Sequence, residues 1–243
     1  MRLLPFAGAV VAVLAVLAAV GYHFFAGWRA RDLATKAKTN FEGANYRMAW
    51  VQINSARELC GSDPEVLRVA AMIEAGLGRA SALEHYEKLS TKTDLTAEDL
   101  QAHAEIAMRF GDDTRFTAAV EALEKSGRTA EAGNLRAARK LRQGDLDRAI
   151  AEARKAAFST DDPALKLSLA RLLALRYRAE FDGDGAPSPG ALAASSEMAA
   201  IIDALMAAPQ RDEALAFAIN EAYLPREARL RWAGGAFEKV DAS

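Results

Sequence analysis

The side chains that could bind a metal ion or act as a nucleophile are few and lie far apart. The histidines are His23, His85 and His103, and none has a Cys, Asp or second His at ligand spacing. Cys60 is the single cysteine of the chain, so no disulfide can form within it. Its place at the end of a helical pattern, before Gly61, favours a buried or half-buried thiol over a nucleophile. We therefore expect no metal, no cofactor and no catalytic thiol.

One acidic segment has the beginning of a calcium-binding loop. The tetrapeptide from Asp182 to Gly185 carries two aspartates in alternation with glycine. A calcium loop needs a bidentate glutamate at its twelfth position, which here is Ala193. The segment is therefore predicted to be a plain turn. Neither a phosphate-binding loop, a zinc-binding helix motif nor a serine elbow occurs in the chain, so the sequence predicts no enzyme.

Composition favours an all-α protein without a nucleic-acid partner. Hydrophobic residues make up 51% of the 243 residues but aromatic residues only 7%, and alanine supplies much of the difference. Alanine is the strongest helix former and a weak strand former. The 31 basic and 33 acidic residues give a net charge of -2. Nucleic-acid binding usually needs a clearly basic face, and this balance does not provide one.

Residues 3–22 form an uncharged segment of the length that crosses a bilayer. As a helix, these twenty residues would be roughly 30 Å long, the thickness of the hydrocarbon core. Aromatic side chains suited to the headgroup level follow at Tyr22, Phe24, Phe25 and Trp28. We predict a single transmembrane anchor, or uncleaved signal anchor, over residues 1–28.

A cleaved signal peptide is the alternative interpretation of this segment. Residues 19–21, Ala-Val-Gly, form an acceptable cleavage site. However, the uncharged stretch is longer than the usual signal-peptide core of about 7–15 residues. Cleavage after Gly21 would also leave an apolar new terminus. These two points favour the uncleaved anchor.

Apolar triplets recur along the chain at a fixed period. Each triplet has the spacing i, i+4, i+7 of one helix face. First members are separated by 33, 34 and 33 residues. The four triplets are Ala49, Ile53, Ala56; Ala82, Tyr86, Leu89; Phe116, Val120, Leu123; and Ala149, Ala153, Ala156. Asp63-Pro64 and Asp162-Pro163 lie three such periods apart, and Gly111-Asp112 and Gly144-Asp145 lie one period apart.

This pattern resembles the tetratricopeptide repeat, a 34-residue helix–turn–helix unit. The fourth unit matches best, from Leu135 to Pro163, with Gly144 at the turn between its helices and Ala149 where they cross closely. The second unit is one residue short at its turn, around Gly76 and Gly78. The third carries bulky Phe116 where the repeat prefers a small residue. The resemblance covers roughly residues 30–180.

The resemblance implies an α-solenoid of antiparallel helix pairs, in which the first helices line a concave groove that binds peptides or helices. In the fourth unit, the residues expected to face this groove are Glu131, Asn134, Leu141 and Arg142. Some tetratricopeptide domains hold a carboxylate with Lys and Asn on the first helix. The corresponding positions are Ala34 and Lys38 in the first unit, and Asn134 and Ala138 in the fourth. That clamp is absent.

The boundaries of the array follow from helix signals and from one break. Thr96 with Asp99 forms a loose capping box, and Pro64 and Pro163 suit a first helical turn. We assign residues 29–181 to the repeat array and the turn-rich residues 182–190 to a loop. Residues 191–243, which include Trp232 and Phe237, are predicted to be irregular C-terminal helices that continue the solenoid.

These features favour a membrane-anchored scaffold that binds a protein or peptide in a tetratricopeptide-like groove. Alternatives are a structural component of a cell-envelope assembly, a fragment of a longer repeat protein without a discrete ligand, or, least supported, an accessory to an enzyme. Arg142, on the groove side, is expected to contribute to binding. Arg154, on the outer helix, is expected to be neutral.

The charges beside the predicted span give a testable topology. Four basic residues follow it (Arg29, Arg31, Lys36 and Lys38), whereas only Arg2 precedes it. The positive-inside rule then places the repeat domain in the cytoplasm. The alternative is a periplasmic domain, because single N-terminal spans often export the domain attached to their C-terminal end. Added protease should leave the domain intact in spheroplasts and digest it after lysis. Digestion in intact spheroplasts would contradict the cytoplasmic assignment.

Overall fold

The computed structural model of the chain describes residues 4–181 and 187–206 together with Ala216; for residues 4–15, 18 and 19 it describes the backbone alone. This part of the chain contains ten α-helices and no β-strand, which confirms the predicted all-α class. In chain order they are α1 (Leu4–Glu42), α2 (Tyr46–Cys60), α3 (Pro64–Gly76), α4 (Ser81–Ser90), α5 (Ala97–Phe110), α6 (Asp113–Lys125), α7 (Thr129–Arg142), α8 (Leu146–Ser159), α9 (Pro163–Glu180) and α10 (Pro189–Met206).

The helices form two compact units, Met1–Ala119 and Val120–Ser243, whose boundary falls within α6. In the first unit α1 packs against α2 and α3 against α4, while α3 also contacts α1 and α5 contacts α3. In the second unit α7 packs against α8 and α9 against α10, and α9 contacts both α7 and α8. Each unit therefore stacks consecutive helix pairs, because a single pair of short amphipathic helices cannot bury its own apolar faces.

The first helix of each of four pairs ends at a residue with positive φ. These residues recur at intervals of 34, 33 and 33 positions: Ala44 (φ 58°), Gly78 (69°), Gly111 (72°) and Gly144 (80°). In each case the next residue donates its backbone N–H to the carbonyl five positions earlier, as Asp145 does to Lys140 at 3.0 Å. This is the Schellman arrangement, which satisfies the last carbonyls of a helix. The repeat period is thus present in the backbone as well as in the apolar side chains.

The predicted helix starts are confirmed. Pro64 and Pro163 each occupy the first position of a helix, after a capping aspartate that accepts a backbone N–H. At α5 the Thr96 hydroxyl accepts the N–H of Asp99 at 3.2 Å, and the Asp99 carboxylate accepts the N–H of Thr96 at 3.0 Å. This reciprocal pair is a complete capping box.

The four predicted triplets form the buried faces of α2, α4, α6 and α8. All twelve side chains are buried, and none is more than 4% exposed. Phe116 is 2% exposed although it stands where the other three repeats have alanine. The helical register predicted from the spacing is therefore correct in all four repeats, including the third.

Small side chains bring paired helices close together. Ala30, Ala34 and Ala37 of α1 are fully buried in one cluster with Ala49 and Ala56 of α2. Cys60 is a free, half-buried thiol packed against this cluster, as predicted. Because alanine adds only a methyl group to the backbone, two helices that meet over alanines can approach more closely than two that meet over leucines.

The predicted membrane span and the C-terminal helices fall largely outside the described residues. Across the described stretches, no helix combines the length and the apolar character needed to cross a membrane. The side chains of residues 4–15, which make up much of the predicted span, lie outside the described part. So do residues 182–186 of the acidic segment and the predicted helical residues Trp232 and Phe237. The helix α1 runs without interruption through residue 28, the predicted end of the anchor.

Two histidines are buried in the first unit. His85 is 5% exposed, and its Nε2 lies 3.3 Å from a carboxylate oxygen of Glu74, which also pairs with Arg57 at 3.3 Å. His103 is 8% exposed and stacks on Tyr86, with ring centroids 5.3 Å apart. Burial lowers the pKa of both imidazoles below the ordinary value, since burial penalises the charged form; for His85 the Glu74 carboxylate opposes the effect.

Ala44 stands in a conformation that favours glycine, whereas the three equivalent turns have glycine. We expect Ala44→Gly to raise the free energy of unfolding by about 1 kcal/mol, since the left-handed region costs a non-glycine residue about that much. Urea denaturation measures the change. The control is Ala151→Gly, at an exposed helical position of α8. It should lower the free energy of unfolding by about 1 kcal/mol, because glycine is a poor helix former. A loss of stability in Ala44→Gly would contradict the strain at this turn.

The buried histidines should make the fold sensitive to acid. Their folded-state pKa values lie below the unfolded value of 6.5. The unfolded chain therefore binds more protons below that pH, so stability is complete above 6.5 and falls as the pH decreases through it. Urea midpoints measured between about pH 5.5 and 7.5 should show this slope. The double variant His85→Gln, His103→Gln should flatten it, whereas His23→Gln, at an exposed position, should not. An unchanged slope in the double variant would show that other groups cause the acid sensitivity.

Candidate functional site

The odd-numbered helices of the first unit lie side by side and are joined by two arginine–aspartate bridges. Arg31 of α1 donates to the Asp63 carboxylate at 2.8 Å, and Arg68 of α3 donates to the Asp99 carboxylate at 2.9 Å. Each aspartate lies at the N-terminal end of the next odd-numbered helix, where its negative charge also suits the helix dipole. Both carboxylates are at least nine-tenths buried. Because a buried carboxylate is costly without a partner, the bridges fix the spacing of α1, α3 and α5.

A pocket of about 490 Å³ opens between these three helices. Its apolar lining comes from Val69 and Met72 of α3, Tyr86 of α4 and Ala102 of α5. Its polar lining consists of Lys38, Glu65, Arg68, Thr96, Glu98 and Asp99. A mainly apolar lining with a few polar and charged groups is the usual composition of a ligand-binding pocket. The volume and the apolar part of the lining leave room for an apolar side chain.

The charges around this pocket are mostly engaged with one another. Arg68 pairs with Asp99 and lies 3.6 Å from Glu65. Carboxylates outnumber cations in the lining by three to two. Burial raises the pKa of the Tyr86 hydroxyl, with Asp99 and Glu105 adding to the effect, so this side chain remains a neutral phenol at any physiological pH. The lining thus combines a neutral aromatic side chain with a small excess of carboxylates.

A second cavity of the first unit lies beside the buried His85. It has a volume of about 520 Å³, and its lining includes Asn54, Arg57, Leu67 and Lys88. The Arg57 guanidinium is already bonded to Glu74 and lies 3.5 Å from Asn54. This arrangement links α2, α3 and α4 and supports packing. In the described residues, no group of three or more His, Cys, Asp or Glu side chains is arranged to hold a metal ion.

The four residues predicted to face the groove in the fourth unit all lie on α7. Helical geometry of about 100° per residue places Glu131, Asn134, Leu141 and Arg142 within one face of that helix. Glu131 is half-buried and pairs with Arg128 at 2.8 Å, and Asn134 is half-buried. Leu141 and Arg142 are exposed. The geometry allows these side chains to form a common surface, and their part in binding stays a prediction.

Arg136 on the same helix has a packing role that the sequence did not reveal. Its guanidinium bonds to Glu124 of α6 and to Glu152 of α8, the latter at 3.3 Å. Burial alone would lower its pKa, but the bonds to the two carboxylates raise it. Arg136 therefore holds α7 against the helices on either side of it in the chain.

Arg154, which was expected to be neutral, makes a contact that the sequence did not indicate, and its neutrality in binding stays a prediction. Arg154 of α8 makes two hydrogen bonds to Glu197 of α10, at 2.9 and 2.8 Å. Two parallel bonds between guanidinium and carboxylate fix the relative orientation of the two side chains. The partner lies 43 residues away, and helical spacing within one repeat does not indicate a contact at that distance. A control on α8 whose ion pair lies within one turn of its own helix is Arg148, which pairs with Asp145.

Sequence reasoning did not predict this pocket, although it had considered one of the positions that line it. Lys38 is one of the two positions at which the carboxylate clamp would stand in the first unit, counted back from Ala49, and it lines the pocket. Counting back from Ala82 by the same number of positions leads, in the second unit, to Leu67 and Ala71, which are both buried. The pocket instead uses Arg68 and Met72, one position later. The missing residue at the turn near Gly78 accounts for this shift, so the signal was present in the sequence.

Comparison with known proteins identifies the fold. No protein-family model matches the chain, and no curated protein matches it in sequence. Solved structures do match. PilF of Pseudomonas aeruginosa shares 14% identity over 85% of this chain and 97% of its own, with a TM-score of 0.51. PilW, a widely conserved type IV pilus biogenesis factor, shares 16% identity over 83% and 97%, with a TM-score of 0.52.

A tetratricopeptide repeat protein of Parabacteroides merdae gives the same result. It shares 15% identity over 82% of this chain and 81% of its own, with a TM-score of 0.52. At these identities the likeness concerns the fold. Together with the repeated helix pairs, these structures establish a tetratricopeptide-like helical repeat fold.

Proposed function

We propose that this chain is a scaffold that binds a protein partner through the first helices of its repeats and catalyses no reaction. The observation that carries the proposal is the pocket between α1, α3 and α5. Tetratricopeptide-like proteins bind other proteins, and this pocket lies on the helices that such a function would use. Its lining of apolar and charged side chains suits a peptide or helix that inserts one apolar side chain and carries polar groups beside it.

We further propose that the N-terminal part of α1 holds the scaffold at a membrane. The supporting observation is a run of exposed apolar side chains on α1, among them Val20, Phe24, Phe25 and Trp28, each at least 49% exposed. Large exposed apolar surfaces usually mark contact with lipid or with another protein. The uncharged sequence that precedes them and the basic residues that follow favour lipid.

A structural role in a cell-envelope assembly is the second candidate function. It is favoured by the likeness to PilW, which is a pilus biogenesis factor. In that role the exposed apolar face of α1 would bind other envelope components and the pocket would have no discrete ligand. The two functions differ in whether filling the pocket changes the binding of a partner.

Filling the pocket should weaken partner binding and leave the fold intact. Ala102→Phe adds a ring to the pocket wall, and we expect the affinity to fall by about tenfold or more, equivalent to about 1.4 kcal/mol. The partner would be captured from detergent-solubilised membranes and identified by mass spectrometry, and its affinity measured by calorimetry. Gln101→Phe is the matched control, because it carries the same ring at an exposed position of α5.

The same assay examines the predicted α7 surface. Arg142→Ala should cost about 1–2 kcal/mol in affinity if Arg142 contacts the partner. Arg148→Ala, on α8, should bind like the wild type. Equal affinity of Ala102→Phe, Gln101→Phe and the wild type, with all three folded, would exclude the pocket and favour the envelope role.

A further inference from the structure

The helix α1 joins the proposed anchor to the proposed binding site without a break. Its exposed aromatic side chains end at Trp28, and Lys38 of the same helix lines the pocket. Ten residues of α-helix separate the two, a distance of about 15 Å. The pocket therefore lies at a fixed height from the aromatic residues.

Packing prevents α1 from turning relative to the pocket. Ala30, Ala34 and Ala37 are fully buried between these two points, in one cluster with residues of α2 and α3. Arg31, also in this interval, is bridged to Asp63 at the start of α3. A flexible linker would let the scaffold sample many heights above the membrane, whereas a packed helix permits only one.

We infer that the pocket binds the juxtamembrane segment of another membrane protein. This inference rests on the proposed function, in both its groove and its anchor. If the aromatic residues lie at headgroup level, the pocket is about 15 Å farther along α1, within reach of chain that has just left the bilayer. Two partners held in one membrane also meet at an effective concentration far above that of a soluble encounter.

The composition of the pocket agrees with this class of partner. Juxtamembrane segments are rich in aromatic residues and, on one side of the membrane, in Lys and Arg. An aromatic side chain suits the apolar part of the lining, which Met72, Val69 and Tyr86 provide. The lining has one more carboxylate than cations, and Asp99 is already paired with Arg68, so the half-exposed Glu65 is the group that basic residues flanking the aromatic side chain would meet.

The test changes the distance along α1 between the aromatic residues and the pocket. Eighteen helix-forming residues inserted between Trp28 and Arg29 add five whole turns, about 27 Å, and preserve the face that α1 presents. The matched control carries the same eighteen residues after Ser243. In both chains and in the wild type, a photoreactive phenylalanine derivative at position 72 crosslinks whatever occupies the pocket in native membranes. Adducts are then sorted by resistance to an alkaline wash, which removes peripheral proteins.

We expect wild type and control to give adducts with integral membrane proteins, and the spacer to lower their yield by about tenfold. Adducts that are removed by the wash, or that form equally well with the spacer, would overturn the juxtamembrane inference and leave groove binding intact. No adduct from position 72 in any chain would overturn the groove itself. Recovery of the wild type in the soluble fraction would overturn the anchor. Either of these last two results would also overturn the juxtamembrane inference, which depends on the groove and on the anchor.

Discussion

The helix pairs of three repeats meet over alanine, whereas the third repeat has Phe116 at the same position, and much of the fold depends on this close contact. Ala49, Ala82 and Ala149 stand at equivalent positions of α2, α4 and α8, and each has no exposed surface. Added methylene groups at such a site usually cost about 1–3 kcal/mol, because the backbones must move apart. Close pairing also requires a short turn between the helices. The positive-φ residues at 44, 78, 111 and 144 supply that turn at the same period.

Charged side chains determine how neighbouring pairs stack in the first unit. Arg31 and Arg68 each reach an aspartate at the start of the next odd-numbered helix. Apolar packing alone is not directional and would tolerate some sliding of one helix along another. A buried carboxylate that loses its arginine partner keeps only its bonds to backbone N–H groups, so sliding of one helix along another is costly. The pocket between α1, α3 and α5 keeps its shape for this reason.

Much of this fold could be predicted from the sequence because its signals are local. The triplets and the Thr96–Asp99 capping box each involve residues a few positions apart, and both are confirmed. The resemblance to tetratricopeptide repeats then supplied the stacking. Contacts between distant residues could not be predicted in this way. The bond from Arg154 to Glu197 joins α8 to α10, and no local spacing in the sequence indicates it.

The candidate site was harder to predict than the fold, because a site depends on absolute register. One missing residue at the turn near Gly78 moves the inward-facing positions of α3 from Leu67 and Ala71 to Arg68 and Met72. An error of one position rotates a helix by about 100° and replaces the exposed face by the buried one. The burial pattern of α3 resolves this ambiguity, since Leu67 and Ala71 are buried and Met72 lines the pocket.

Hydroxyl-radical footprinting of the chain with and without its captured partner tests the central claim most directly. The first unit offers two methionines for comparison, Met72 in the pocket on α3 and Met48 on the exposed face of α2. Both report through oxidation of the same thioether, so a difference between them reflects coverage and not chemistry. We predict that the partner protects Met72 from oxidation and leaves Met48 unchanged. Protection of Met48 with no change at Met72 would show that the partner binds the second helices, and would contradict the account.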